Sequence, residues 1–156
     1  MYKVVAYLGL GILVGCSSIT EIQNESITDI TGSWECSGLG DKSIQLSYRD
    51  RIDYIEDGSF DKLSKMNFKL PSHAELYDVT IASKGTWNLK NGSVNEEMSN
   101  YSVEVGDDFP EMYVEQLKSN IKLPEKAKWK LTPVSEQVIS KTSNFGQKLT
   151  CKKVLL

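Results

Sequence analysis

Apolar residues recur at every second position through most of this chain, and that period limits its possible folds more than any other feature. Alternate side chains of an extended strand point to opposite faces, so such a run reads as a strand with one face buried. The clearest run is Tyr77 to Leu89. Tyr77, Val79, Ile81, Trp87 and Leu89 share one face, while Asp78, Thr80, Lys84, Thr86, Asn88 and Lys90 share the other. Asn91-Gly92 follows at once, and both residues tolerate the positive φ that a two-residue hairpin turn demands. Val94 to Val105 is therefore expected to return antiparallel, with Tyr101, Val103 and Val105 on one face. The phase slips near Met98, which predicts a bulge or irregular stretch there.

The same pattern holds on either side. Upstream, Ile44, Leu46, Tyr48, Ile52 and Tyr54 share one face of a long strand, and Arg49, Arg51 and Asp53 share the other. Asp57-Gly58 is a second hairpin signal and leads into Phe60, Met66, Phe68 and Leu70. Downstream, Trp129 and Leu131 alternate with Lys128, Lys130 and Thr132. A short strand around Val138, a turn at Asn144-Phe145-Gly146 and a last strand around Leu149 and Cys151 complete the series. One segment breaks the period. Asp108-Phe109-Pro110-Glu111 reads as a helix start, with Asp108 as N-cap, proline in the first turn and Glu111 at the capping-box position. Tyr113, Val114, Leu117 and Ile121 recur at helical spacing until Pro124 stops the run. The expected helix covers roughly Phe109 to Asn120 and packs over an opening or edge of the sheet.

The first residues follow another rule. Lys3 precedes an apolar run from Val4 to Val14, of secretory-signal length and too short for the roughly 20 residues of a membrane-spanning helix. Within it, Leu13-Val14-Gly15-Cys16 resembles the lipobox of bacterial lipoproteins. The resemblance implies that residues 1–15 are a signal peptide removed before Cys16. It implies further that Cys16 carries a diacylglyceryl thioether and usually an acylated (palmitate-type) amine. Two or three acyl chains hold a protein on a membrane far more firmly than one. Ser17, where an aspartate would favour the inner membrane, implies an outer-membrane lipoprotein facing the periplasm. Residues 16–29 then form the lipidated N-terminus and tether, and residues 30–156 form one domain. Losing Lys3 takes the net charge from −3 to about −4, with both signs well mixed. This argues against a nucleic-acid partner.

If Cys16 is acylated, Cys36 and Cys151 remain, in a compartment where disulfides persist. They are expected to pair. The loop they close is long enough for the chain-entropy account to allow about 4–5 kcal/mol. Bridged cysteines need Cα atoms within about 7 Å, so the first and last strands should be neighbours. Six to nine antiparallel strands joined in this way predict a mainly β domain, an up-and-down barrel or a strongly curved sheet, with one helix near residues 109–120.

Gly32-Ser33-Trp34 at the first strand is similar to the Gly-x-Trp motif of lipocalins and their calycin relatives. Tyr54 to Phe60 and Gly85-Thr86-Trp87 resemble motifs of bacterial lipocalin-like domains of unknown role. The likeness spans roughly Ile30 to Val94. It departs at the helix, which precedes the last strands here and follows the barrel in lipocalins. What it implies for Trp34 is a structural role, plugging the closed end of the barrel.

Candidate chemistry is sparse. His73, the only histidine, sits in an expected loop, Pro71 to Ala74, and leaves little to build a catalytic triad or a histidine metal site from. Asp107-Asp108 reads as helix capping, Glu96-Glu97 as a solvated hairpin arm, and Asp50, Asp53, Glu56 and Asp57 as surface ion partners of Arg49 and Arg51. None of these carboxylates has calcium-loop spacing, and no phosphate-binding or nucleophile-elbow motif occurs. No enzyme, metal or cofactor is therefore expected. The aromatics Tyr48, Tyr54, Phe60, Phe68, Tyr77 and Trp87 recur on inward faces and fill a barrel. If the barrel is wide enough, Tyr48, Tyr54, Phe68, Tyr77 and Trp87 would line a ligand pocket. Two functions remain: a tethered binding module for an apolar or amphipathic small ligand, or an accessory lipoprotein. The latter would grip another envelope protein through its outer face, a strand edge or the helix.

Overall fold

Asn91 and Gly92 both adopt positive φ (51° and 65°), and the chain reverses there, bringing Lys90 opposite Ser93. Gly58 (φ 84°) and Gly146 (φ 85°) make equivalent reversals at the other expected turns. The computed structural model describes residues 27–40, 46–69 and 74–155. Cys16, Ile44, Leu70 and His73 lie outside the described residues. Eight strands follow in order: β1 (Gly32–Leu39), β2 (Ser47–Tyr54), β3 (Ser59–Lys69), β4 (Leu76–Lys90), β5 (Ser93–Val105), β6 (Lys126–Ser135), β7 (Val138–Ser143) and β8 (Lys148–Lys153). Each is antiparallel to the next, and β8 returns to β1, so the sheet closes as an up-and-down barrel. Closure lets the apolar faces of all eight strands meet inside and removes most exposed ladder groups.

The seam between β1 and β8 is short. It runs from Trp34 opposite Lys153 to Ser37 opposite Thr150. Cys36 faces Cys151 within it, and the two form a disulfide across a Cα–Cα distance of 3.9 Å and a sequence separation of 115. The expected pairing, and the neighbouring first and last strands it required, are both present.

The register of β4 and β5 slips between Lys84, which faces Asn100, and Gly85, which faces Met98. Ser99 is the extra residue, at the position where the alternation lost phase, and its hydroxyl donates to the Lys84 carbonyl at 3.1 Å. A Cβ on Gly85 would come within 2.1 Å of the Glu97 carbonyl oxygen, so only glycine allows this approach.

One end of the barrel is sealed. Ile30, Trp34, Ile52, Phe60, Val94 and Leu131 are buried together there, and Ile27 packs against them. Trp34 donates its indole N–H to the Ile30 carbonyl at 2.8 Å, and the Lys153 ammonium lies 5.6 Å from its ring centre. At the other end β3, β4 and β5 outrun their neighbours. Phe68, Tyr77 and Phe109 pack there with ring centres 5.4–6.3 Å apart. The β5–β6 ladder ends at Glu97 opposite Lys126, and Met98 N–H donates to the Glu125 carbonyl at 2.7 Å.

The helix α1 (Glu111–Asn120) lies between β5 and β6, but its start and its packing differ from expectation. Pro110 occupies the N-cap position, and no side chain caps the helix. Asp108 belongs instead to a turn closed by Phe109 N–H on the Gly106 carbonyl (3.0 Å). No residue of α1 is buried, and Val114 and Leu117 are half-covered. Phe109, just before the helix, makes the buried anchor that the sequence pattern assigned to the helical stripe.

Candidate functional site

Inward phase, which the alternation assigns to apolar residues, also carries charges, and among the described residues four of them meet inside the barrel. Asp50 lies between Tyr48 and Ile52 on β2, Lys62 follows Phe60 on β3, Glu96 follows Val94 on β5, and Lys141 follows Ile139 on β7. The barrel brings them together. Glu96 accepts from Lys141 Nζ at 2.8 Å, from the Trp129 indole N–H at 3.2 Å and from the Tyr54 hydroxyl. Lys141 Nζ also donates to the Tyr54 oxygen at 2.6 Å and lies 4.9 Å from the Trp129 ring centre. Beside this group, Lys62 Nζ stands 3.4 Å from Asp50 Oδ2 and 5.8 Å from the Trp129 ring centre.

Burial and pairing set the charge states. Burial alone would raise the Glu96 carboxyl, but the charges of Lys141 and Lys62 and two hydrogen bonds outweigh it and hold the group at about 2. Burial pulls the Lys141 ammonium below its usual value, opposed by Glu96. For Lys62 burial also acts downward, but Asp50 and Glu96 overcome it and the ammonium is held above its usual value. Burial, then the Glu96 charge, pushes the Tyr54 phenol well up, so Tyr54 is a neutral hydrogen-bond donor. Two readings are thereby corrected. Glu96 is not part of a solvated arm: it is buried, while Glu97 is exposed and pairs with Lys126 at 3.2 Å. Asp50 is not a surface partner of Arg49 or Arg51, because its place in the pleat turns it inward to Lys62.

The charged cluster forms the floor of a cavity of about 310 Å³ on the helix side of the barrel. Asp50, Lys62 and Glu96 line the floor; Phe60, Ile81, Met98 and Trp129 line apolar walls; Ser64 and Ser83 add hydroxyls. Leu123 and Pro124, from the segment after α1, border the mouth together with Gln147. An apolar chamber with a few convergent polar groups is the usual form of a small-molecule site. A larger hollow of about 570 Å³ lies on the outer face along Arg51, Leu63, Lys84 and Asn100, but it opens broadly to solvent.

Of the five aromatics expected to line a pocket, Tyr48 is in the cavity wall. Tyr54 is buried among the charges beneath the floor, with its ring edge-on to Trp87 at 5.2 Å. Trp87 donates to the Ile55 carbonyl at 3.1 Å near the sealed end. Phe68 and Tyr77 pack on Phe109. Lys62, on the floor, and Lys141, buried behind Glu96, did not stand out in the sequence. The signal that finds them is charge on the inward phase at four separate strands, two positive and two negative.

Among the described residues, no group of His, Cys, Asp or Glu side chains is placed to hold a metal ion, and no helix is long and apolar enough to cross a membrane. No protein-family model matches the chain, and no curated protein matches it in sequence. The closed eight-stranded antiparallel barrel is compatible with a lipocalin-like fold.

Proposed function

We propose that this chain is an exported lipoprotein, acylated at Cys16 and held on the outer membrane facing the periplasm, whose barrel binds an apolar or amphipathic small ligand without chemical turnover. The observation that carries the binding reading is the 310 Å³ cavity with apolar walls and a polar floor. A barrel of eight strands is wide enough either to be filled by side chains or to hold one small ligand, and here the side chains leave the space open. Lipocalin-like architecture supports the same reading as an analogy of fold. Titration with the uncharged fluorescent probe N-phenyl-1-naphthylamine tests it. Saturable enhancement of fluorescence is expected, abolished when Ile81→Trp fills the chamber; enhancement unchanged by that substitution would overturn the reading. The tether has its own test. Mass spectrometry of membrane-extracted protein should find acyl chains on Cys16, and Cys16→Ser should release the protein; retention without acylation would refute the tether.

A second reading, an accessory protein gripping an envelope partner, is favoured by one feature. Beyond Met98 the β5 edge has left its ladder with β6, and a groove of about 510 Å³ separates it from Lys122 to Glu125. Exposed strand edges accept added strands. Crosslinking from Asn100 in intact cells would trap a discrete envelope protein under this reading and none under the first.

A further inference from the structure

The charges that meet the cavity are already balanced, and that balance restricts what can enter. Asp50 and Glu96 are matched by Lys62 and Lys141, each lysine on one carboxylate (3.4 Å and 2.8 Å). The two pairs are not equally available. The side chains of Lys141 and Glu96 are 1% and 5% exposed, and Glu96 accepts bonds from three separate side chains. Lys62 is 18% exposed and Asp50 7%, and both line the cavity. Their 3.4 Å separation exceeds the roughly 2.7–2.9 Å of a tight charge-assisted bond. An ammonium has three N–H donors, and a carboxylate has about four lone-pair sites. The pair therefore retains both donor and acceptor capacity toward the chamber.

We propose that the cavity takes an uncharged amphiphile headed by a hydroxyl, which accepts from Lys62 Nζ and donates to Asp50 Oδ2. This deepens the binding reading above and rests on it. Two atoms 3.4 Å apart can both be reached from one oxygen at ordinary hydrogen-bond distances of about 2.8 Å, so the head group bridges the pair without breaking it. A carboxylate would add a negative charge to a compensated set and crowd Asp50 and Glu96. An alkylammonium would add a positive charge beside Lys62. Either leaves a shielded charge without a counter-charge, the costly arrangement in a low-dielectric chamber. The tail meets Phe60, Ile81 and Met98. At roughly 30 Å³ per water-sized volume, the 310 Å³ chamber holds about ten such volumes, which suits a chain of about eight carbons with its head.

The test compares four octyl compounds by isothermal titration calorimetry. They are 1-octanol, octyl methyl ether, octanoate and octylammonium at pH 7.5, with the full chain carrying Cys16→Ser and no detergent. Octanol is expected to bind at least tenfold more tightly than either ion. It should also bind severalfold more tightly than the ether, which accepts a hydrogen bond but donates none. Octanoate or octylammonium matching octanol would overturn the inference and leave the cavity reading standing. An ether equal to octanol would also overturn it, since the bond to Asp50 would then be idle. If none of the four binds, the cavity reading fails and this one with it. The double variant Asp50→Leu/Lys62→Met should erase the preference of octanol over the ether while the ether still binds. A preference that survives in the folded double variant places the head group elsewhere and refutes the bridge. Should that variant not fold, the four-compound series on the unaltered floor decides.

Discussion

Two lysine–carboxylate pairs cross the same barrel interior, and they differ in what completes them. Glu96–Lys141 is closed at 2.8 Å, roofed by Trp129 and bonded by Tyr54, so nearly all its hydrogen-bonding capacity is used inside the protein. Asp50–Lys62 is looser, at 3.4 Å, and borders open space. The sealed pair ties β5 to β7 through β2 and fixes how those strands meet. The open pair has capacity to spare. Identical chemical groups thus serve as scaffold in one place and as a candidate recognition surface about one side chain away, and the difference lies in packing.

The comparison breaks most visibly if Lys141 can be removed cheaply. Lys141→Met strands a buried carboxylate and is expected to lower stability by about 3–5 kcal/mol, read from the urea midpoint. The double variant Glu96→Leu/Lys141→Met should recover most of that loss, because a buried pair replaced as a unit by apolar groups is often neutral. If the single and double variants lose equally, the pair is not the tie described here.

The seam offers the next largest effect. The Cys36–Cys151 bond reinforces a β1–β8 ladder that runs only from Trp34 to Ser37. Replacing both cysteines by serine is expected to cost about 2–5 kcal/mol while leaving octanol affinity unchanged, because neither residue lines the cavity. Loss of affinity in a protein that remains folded would show that the sealed and open regions are coupled.

Acid sharpens the comparison further. The Glu96 carboxyl titrates at about 2 in the fold against 4.5 for an unperturbed group. Its contribution is therefore fully present above about pH 4.5 and disappears as the pH falls through 2, a loss of roughly 3 kcal/mol. Urea midpoints measured from pH 5 down to pH 2 should show this slope. Glu96→Gln should flatten it, and a slope unchanged in that variant would assign the acid sensitivity to other carboxylates.

Much of this architecture was legible in the sequence because a pleated strand has a strict period. Tyr77 to Leu89, Trp129 and Leu131 announce their faces, Asn91-Gly92 its turn, and the slip near Met98 its bulge. Cys36 and Cys151 announced the closure, once Cys16 was set aside. The floor was not legible, because a carboxylate or lysine is usually solvated and only its partner makes it tolerable inside. Glu96 and Lys141 lie 45 residues apart, and nothing local to either names the other. Asp50 was in phase with Ile52 and Tyr54, but its neighbours Arg49 and Arg51 offered a surface explanation that packing overruled. The helix was misread at its start for a similar reason. Asp108 fits a cap by type, yet the turn back to Gly106 claims it first.

The smallest expected effect isolates the open pair. Lys62→Met removes the ion partner of Asp50, but the two carboxylates it neighbours are not left alike. Glu96 retains Lys141, Trp129 and Tyr54, and Asp50 still faces the chamber. The expected cost is about 1–3 kcal/mol, the range for a buried group that loses a hydrogen-bonding partner, and below that of Lys141→Met because Asp50 still borders the open chamber. The alkaline limb gives the sign. Burial lowers the Lys62 ammonium, but Asp50 and Glu96 more than offset it and hold it above 10.5, so its contribution is present below pH 10.5 and fades as the pH rises through the raised value. Urea unfolding of the two lysine variants side by side at pH 7.5 is the measurement. Equal losses would mean that the two pairs are equivalent scaffold and that Asp50–Lys62 has no capacity left for a ligand. A loss confined to Lys141→Met would leave the open pair free to be judged by what it binds.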